Sequence, residues 1–305
     1  MHGVLIPSVD RADWLTQRKS GIGASDVAGI LGLSPWATPF TVWADKRMDV
    51  EDSQTEAMWW GRRLEDLILD EFTLRTGLHV GYRQQLVAHP DHLWVLATPD
   101  GIAYEGIPDE PEFDVDSDPL GVVDAKSDAG FGRWNDGIPD HIVCQVTWQM
   151  FATGLENAWV PVLHGGSRFE VYEVPYDKSL ADTMFERVSE WRDRYLLGDE
   201  TPEPDGSEAT GKYITGLWPR SDEDAVELSA IDLADVEALR GWKEEGKRVD
   251  AEIRRLENRL KVKLENAEAG TVDGQPVITW KTQHRDTYTV EASEFRVLRL
   301  KKGRP

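Results

Sequence analysis

The sequence predicts an α/β (α+β) fold: a small mixed sheet flanked by helices, followed by a long C-terminal helix and a β-hairpin. Three observations carry this expectation. Two strand-like segments carry carboxylates, Leu96-Ala97-Thr98-Pro99-Asp100 and Val122-Val123-Asp124-Ala125-Lys126. Helical patterns flank them: Leu64, Leu67, Ile68 and Phe72 recur at helical spacing, and an apolar run from His141 to Thr153 is closed by Gly154. A hydrophobic content of 40% with 13 Trp in 305 residues favours globular packing, with chain enough for one substantial core or two domains.

Taken in order, Arg18 to Gly32 reads as a glycine-punctuated loop running into a short helix that begins near Ser25, with Ser25 as N-cap. Free N–H groups in a first helical turn attract phosphate, and Arg18 offers the same anion a bidentate partner. An ordinary capped helix is the alternative. The Gly-Lys-Ser/Thr ending of a triphosphate-binding loop is missing. In the next helix Glu65 lies at the edge of the apolar stripe, so it either pairs with a neighbour such as Arg62 or faces an internal site.

Alternate residues of a strand share a face, which turns Asp124 and Lys126 to one side and Ala125 to the other. Carboxylates from adjacent strands suit a hard ion such as Mg²⁺ or Mn²⁺, which keeps several waters and takes further ligands from a phosphate. Lys126 beside it can orient a water or meet charge developing on phosphate oxygen. Asp-x-Lys after a strand is a common pattern, and a solvated strand end is the competing explanation. Gln145 and Gln149, one turn apart in an apolar helix, need partners: a site water or phosphate, or neighbouring backbone. Glu105 to Pro119 is acidic and proline-punctuated, the composition of an exposed loop joining two strands.

In their order these segments resemble the YqaJ-type viral recombinase family, the phage exonucleases related to lambda exonuclease within the PD-(D/E)xK nuclease superfamily. The matching residues are Arg18 through Gly32 with Leu33-Ser34-Pro35-Trp36, then Gly61 to Glu65, Thr98-Pro99-Asp100-Gly101, Asp124-Ala125-Lys126, and Ile138-Pro139 through Gln145 to Thr153-Gly154. The resemblance implies a restriction-endonuclease-like core and a catalytic set of Glu65, Asp100, Asp124, Lys126 and Gln145. By the same carry-over Asp100, Asp124, the backbone carbonyl of Ala125 and Glu65 hold Mg²⁺, for which Mn²⁺ can substitute. Lys126 positions the attacking water, Gln145 holds the lysine or the nucleophile in place, and Arg18 with Ser25 bind a terminal 5′-phosphate. The family more often carries Glu where this chain has Asp124. The implied activity is metal-dependent 5′-to-3′ degradation of double-stranded DNA from its ends, producing 3′ single strands for an annealing protein, with ring-shaped homo-oligomers occurring in the family. Two other readings stay open: a PD-(D/E)xK endonuclease or RecB- or Cas4-like repair nuclease, and a non-catalytic DNA-end or protein-binding module on the same fold.

Composition sets limits. No stretch is long and apolar enough to span a bilayer and the N-terminus lacks a secretory apolar region, so a cytoplasmic protein is expected. Cys144 is the single cysteine, expected buried and inert. Net charge is -22, opposite to the usual sign for a DNA-binding protein. Basic residues nevertheless gather at Arg18-Lys19, Lys46-Arg47, Arg62-Arg63 and in Arg296, Arg299, Lys301, Lys302 and Arg304, which suggests a local basic channel.

Domain boundaries are expected at 1–198 for the nuclease domain, 199–222 for a linker and 223–305 for a C-terminal region. In the first, Phe169 to Val174 reads as a strand and Leu180 to Leu197 as an amphipathic helix. In the last, Val236, Leu239, Val249, Ile253, Leu256, Leu260 and Leu264 mark a long helix with a break allowed at Gly241 or Gly246. Gly270 to Lys281 reads as a hairpin built on Asp273-Gly274.

Overall fold

The computed structural model describes residues 3–7, 16–48, 55–105, 118–130, 134–222, 225–287 and 296–301. The described elements begin with β1 (Val4–Leu5), β2 (Ile22–Gly23), α1 (Ala24–Ile30), α2 (Pro39–Arg47), α3 (Glu56–Thr76), β3 (His79–Gly81), β4 (Val87–Ala88), β5 (Val95–Ala97) and β6 (Gly101–Tyr104). They continue with β7 (Pro119–Val123), β8 (Lys126–Asp128), α4 (Asp140–Thr153), β9 (Asn157–His164), β10 (Arg168–Pro175), α5 (Lys178–Arg192), a π-helical turn (Asp193–Leu197) and α6 (Glu208–Leu217). Last come α7 (Ala230–Leu264), β11 (Ala269–Val272) and β12 (Gln275–Thr279). Two units result, Met1–Leu217 and Trp218–Pro305.

The first unit has a mixed six-stranded sheet in the order β10-β9-β7-β6-β3, with β8 also on β9, and a four-stranded sheet in the order β1-β4-β5-β2. β6 and β7 are antiparallel, with Gly101 opposite Val123. β7 and β8 follow one edge of β9 in one register, Val123 opposite Trp159 and Lys126 opposite Val162, so they form a single strand line opened at Asp124-Ala125. Parallel strands need a crossover, and α4 supplies it between β8 and β9.

That placement decides the character of α4. Ile142, Val146 and Met150 pack with Val122, Ala158 and Val160 of the six-stranded sheet. Cys144, Trp148 and Ala152 pack with Ile22, Val27, Val95, Met184 and Val188 on the other side. Gln145 and Gln149 fall between the two apolar faces. Trp148 is completely buried, and its truncation to Ala would cost about 3–5 kcal/mol. Cys144 is buried as expected, its thiol pushed up to about 11 by desolvation and by Asp140.

Four expectations change. The buried stripe of α3 is Ile68, Leu69 and Phe72, whereas Leu67 is 64% exposed. This phase puts Glu65 at i with Ile68, Leu69 and Phe72 at i+3, i+4 and i+7, on the inward stripe rather than its edge. The short helix starts after Gly23, whose N–H donates to Asp26 Oδ2 at 2.8 Å, so Ser25 stands inside the first turn and is not its N-cap. Within the expected linker, Glu208–Leu217 is helical and belongs to the first unit: Ser207 Oγ accepts the Thr210 N–H, and the Thr210 hydroxyl bonds that of Thr38 in the buried interior. Finally, α7 runs unbroken through Gly241 and Gly246. Each glycine costs about 1 kcal/mol, and ion pairs such as Lys247–Glu244, Arg248–Glu245 and Arg255–Glu252 support the surrounding turns.

In the second unit, Ser229 caps α7, and Asp273 and Gly274, both at positive φ (50° and 81°), make the two-residue turn joining β11 to β12. The predicted loop at Glu105–Pro119 lies for the most part outside the described residues, as do Lys302 and Arg304.

Candidate active site

The opening in the strand line fixes the first acid. Asp124 follows β7, where its N–H donates to Trp159 O at 3.0 Å, and its side chain is 1% exposed. Its Oδ1 accepts from Gln145 Nε2 at 2.9 Å and Gln149 Nε2 at 2.8 Å, and its Oδ2 meets Lys126 Nζ from the same strand face. Ala125 turns the other way, against Leu69, Phe72 and Val123.

The second acid precedes β6, the antiparallel neighbour. Asp100 Oδ2 accepts the Ala125 N–H at 2.8 Å, which ties it to the same opening. Its Oδ1 accepts from Gln84 Nε2 at 3.1 Å, and the same amide nitrogen donates to Glu65 Oε1 at 2.6 Å. Glu65, Asp100, Asp124, Lys126 and Gln145, from two helices and two strand ends, therefore form one connected cluster. Gln84 has a φ of 57°, a left-handed backbone rare for a residue with a side chain. Such strain is retained where the surrounding structure holds it, and here it aims the amide between two carboxylates.

Electrostatics show what the cluster lacks. Burial raises the Asp100 carboxyl well above its ordinary value, with further push from Asp124 and Glu65 against the pull of Lys126. Glu65 is raised as well, first by burial and then by Asp66 and Asp124. Burial opposes the charge on Lys126, yet Asp124, Asp100 and Glu65 together hold its ammonium above the usual value. One ammonium thus serves three carboxyl groups. Among the described residues no group of three or more His, Cys, Asp or Glu stands at metal-holding spacing; the Gln84 amide lies between Glu65 and Asp100, and Lys126 lies against Asp124. The chemistry of the set nonetheless suits a hard cation: its donors are oxygens, and burial with mutual repulsion raises the carboxyls of Glu65 and Asp100.

Arg18 and Ser25 meet at the other end of the site, with Arg18 Nη2 donating to Ser25 Oγ at 2.5 Å. Beneath them is a buried acid, Asp26, in ion pairs with Lys46 at 2.7 Å and Arg18 at 4.0 Å. Burial would raise the Asp26 carboxyl, but Lys46, Arg18 and the Gly23 N–H hold it below the ordinary range. Lys46 also donates to the Arg18 carbonyl at 3.1 Å, and Arg47 donates to the carbonyls of Leu196 and Gly198. The expected basic patch at Lys46-Arg47 is therefore committed to internal ties. A cavity of about 200 Å³ is lined by Arg18 and Ser25 together with Gln84, Gln145 and Gln149.

Several of these residues escape sequence reasoning. Gln84 lies between strands without a motif, and its only signal is polarity next to Arg83. Asp26 and Lys46 pair across 20 positions of sequence, which no local spacing reveals. Gln149 is visible as a polar residue in an apolar helix; its partner is not.

A family model described as the YqaJ-like viral recombinase domain matches residues 13–156. Uncharacterized protein YqaJ of Bacillus subtilis (strain 168) is 31% identical over 282 residues, covering 90% of this chain and 84% of that protein. This chain belongs to the YqaJ-like viral recombinase family. The span matched by the family model contains every residue of the cluster, from Arg18 to Gln149. Among solved structures, an alkaline exonuclease (LHK-Exo) from Laribacter hongkongensis aligns with a TM-score of 0.47 at 17% identity, covering 61% of this chain and 93% of that one. A phage related exonuclease from Haemophilus somnus 129PT aligns with a TM-score of 0.43 at 12% identity, covering 58% and 94%.

Proposed function

We propose that this YqaJ-like chain hydrolyses the phosphodiester bonds of double-stranded DNA from its ends, 5′ to 3′, leaving a 3′ single strand for an annealing protein. One observation carries the reading: the cavity that holds Arg18 and Ser25 also reaches the glutamines bonded to the acid cluster. An anion-binding end and a carboxylate centre in one cleft match a substrate whose terminal phosphate and scissile phosphate are neighbours.

Glu65, Asp100, Asp124 and the Ala125 carbonyl would hold Mg²⁺, or Mn²⁺ in its place. When bound, the ion supplies Lewis acidity at the phosphate and makes water acidic enough to be a nucleophile at neutral pH. The protein's own groups do the rest. Lys126 is held charged by its three acidic neighbours, so it acts as a donor to developing charge on a phosphate oxygen and not as a base. Gln145 and Gln149 occupy one oxygen of Asp124 and leave its orientation fixed. Gln84 holds Glu65 and Asp100 together. Arg18 trades its bond to the Ser25 hydroxyl for a bidentate pair with terminal phosphate, which Ser25 joins.

The experiment is an end-labelled linear duplex with a 5′-phosphate, incubated with Mg²⁺ beside a covalently closed circle. The expected result is mononucleotide release from the linear duplex, an intact circle, and loss of cleavage in Lys126→Ala with the fold retained. Cleavage of the circle would move the assignment to an endonuclease. Unchanged cleavage by Lys126→Ala would remove the assigned centre.

A further inference from the structure

A second cavity, of about 1010 Å³, is lined by Lys126 and by the rings of Trp36, Trp60, Trp134 and His141 together with Met58. Trp36, which meets the His141 ring edge-on at 5.0 Å, is 62% exposed and Trp60 50%, and exposed aromatic surface is a feature of interaction sites. Next to Trp60, Trp59 packs edge-on at 4.9 Å, with the Arg63 guanidinium carbon over its ring at 4.2 Å from the centroid. Pockets for small molecules run from about 300 to about 1,000 Å³, so this groove has room for a run of flat groups.

We propose that the groove is a stacking site for unpaired DNA bases beside the scissile phosphate. The choice of ligand rests on the nuclease reading above. Lys126 is shared: its ammonium touches Asp124 in the acid cluster, and the same residue lines the groove. A strand whose phosphate reaches the cluster therefore has its next bases at the indoles. Stacking on aromatic side chains is indifferent to base sequence and owes little to charge. That suits a chain of net charge -22, which as a whole opposes the usual electrostatic contribution to DNA affinity. Bases engaged in this way have left the duplex, so the groove would favour frayed or single-stranded ends over blunt paired ones.

The test uses the full chain without divalent ions, in EDTA, so that binding is read apart from cleavage. An oligothymidylate and an abasic oligomer of the same length present the same phosphates with and without bases, followed by tryptophan fluorescence and by anisotropy of a labelled strand. Expected are quenching by the thymidylate, binding of the abasic strand about tenfold weaker or more, and a similar loss in Trp60→Ala and Trp36→Ala. Trp60→Phe should recover most of the affinity, while Trp60→Leu, which keeps apolar bulk without a ring, should not; this pair decides the matter if truncation to Ala disturbs folding. Equal affinity for both oligomers, or no change in any indole variant, overturns the proposal, as does failure to bind the thymidylate at all or occupation of the groove by a protein segment instead. A chain that binds thymidylate through the indoles but cleaves no duplex with Mg²⁺ loses the nuclease reading and keeps the groove. A chain that cleaves but ignores the bases loses the groove alone.

Discussion

Two acidic centres in the first unit have opposite electrostatic characters. Asp26 has two cations and a backbone N–H around it, and its carboxyl is held below the ordinary range. Asp100 and Glu65 share one neutral amide and compete with Asp124 for one ammonium, and both carboxyls are raised. Asp26 is a finished ion pair that anchors Arg18 and Lys46. The Glu65–Asp100–Asp124 cluster sets three carboxyl groups around one ammonium, that of Lys126. Carboxyls raised by burial and by one another are commoner at functional sites, whereas compensated acids are common in scaffolds.

The largest effect should separate the two centres by activity. Asp124→Asn removes a charge that nothing else in the cluster duplicates and should lower the cleavage rate by about a thousandfold, read on labelled duplex with Mg²⁺. The next should separate them by stability, measured by denaturant unfolding of the metal-free protein. Asp26→Ala leaves Lys46, whose side chain is 4% exposed, buried without its carboxylate, at a cost of about 3–5 kcal/mol. Asp100→Asn should do the reverse and stabilise by about 1 kcal/mol, since it deletes a charge that already lacks compensation. If both substitutions destabilise alike, the contrast between the centres is gone.

Titration provides a third separation, with opposite signs. The folded state binds fewer protons at Asp26 than the unfolded chain, so its contribution is present above the ordinary value of 3.8 and is lost as pH falls through the lowered one. At Asp100 the folded state holds a proton that the unfolded chain releases, so stability falls as pH rises from 3.8 toward the raised value. Thermal melts of wild type and Asp100→Asn across acid to neutral pH should diverge in that upper window and converge below it. The smallest effect concerns Gln84. Replacement by Gly relieves the positive φ and loses the amide bridge, each worth about 1 kcal/mol, so stability should stay within about 1 kcal/mol of wild type. Cleavage should drop about tenfold because Glu65 and Asp100 lose their common partner; a drop in stability with unchanged rate would make the bridge merely structural.

What the sequence made legible divides along the same line. Strand alternation was enough to place Asp124 and Lys126 on one face, and the crossover helix with its two glutamines was visible as an apolar segment with polar interruptions. The buried stripe of α3 takes Leu69 in place of Leu67, two positions away, because packing against Val80, Ala103 and Val123 chooses between them and the helical period alone does not. The helix start was assigned to Ser25 because capping preferences rank serine high, yet Gly23 holds the cap position and Asp26 bonds back to it. Gln84 and the Lys46–Asp26 pair were invisible for a common reason. Their meaning comes from partners brought close by the tertiary fold, and neither a period nor a motif encodes that. The segment at 199–222 has linker composition, but its Thr210 finds a buried partner in Thr38, so burial overrides composition there.

The central claim, that the Glu65–Asp100–Asp124 cluster receives a divalent cation, is tested most directly by calorimetric titration of Mn²⁺ into metal-free wild type and Asp100→Asn at neutral pH. The account predicts saturable binding to wild type with release of protons to the buffer, and at least about tenfold weaker binding with less proton release in the variant. Indistinguishable isotherms for the two proteins, or no binding to wild type, would contradict it.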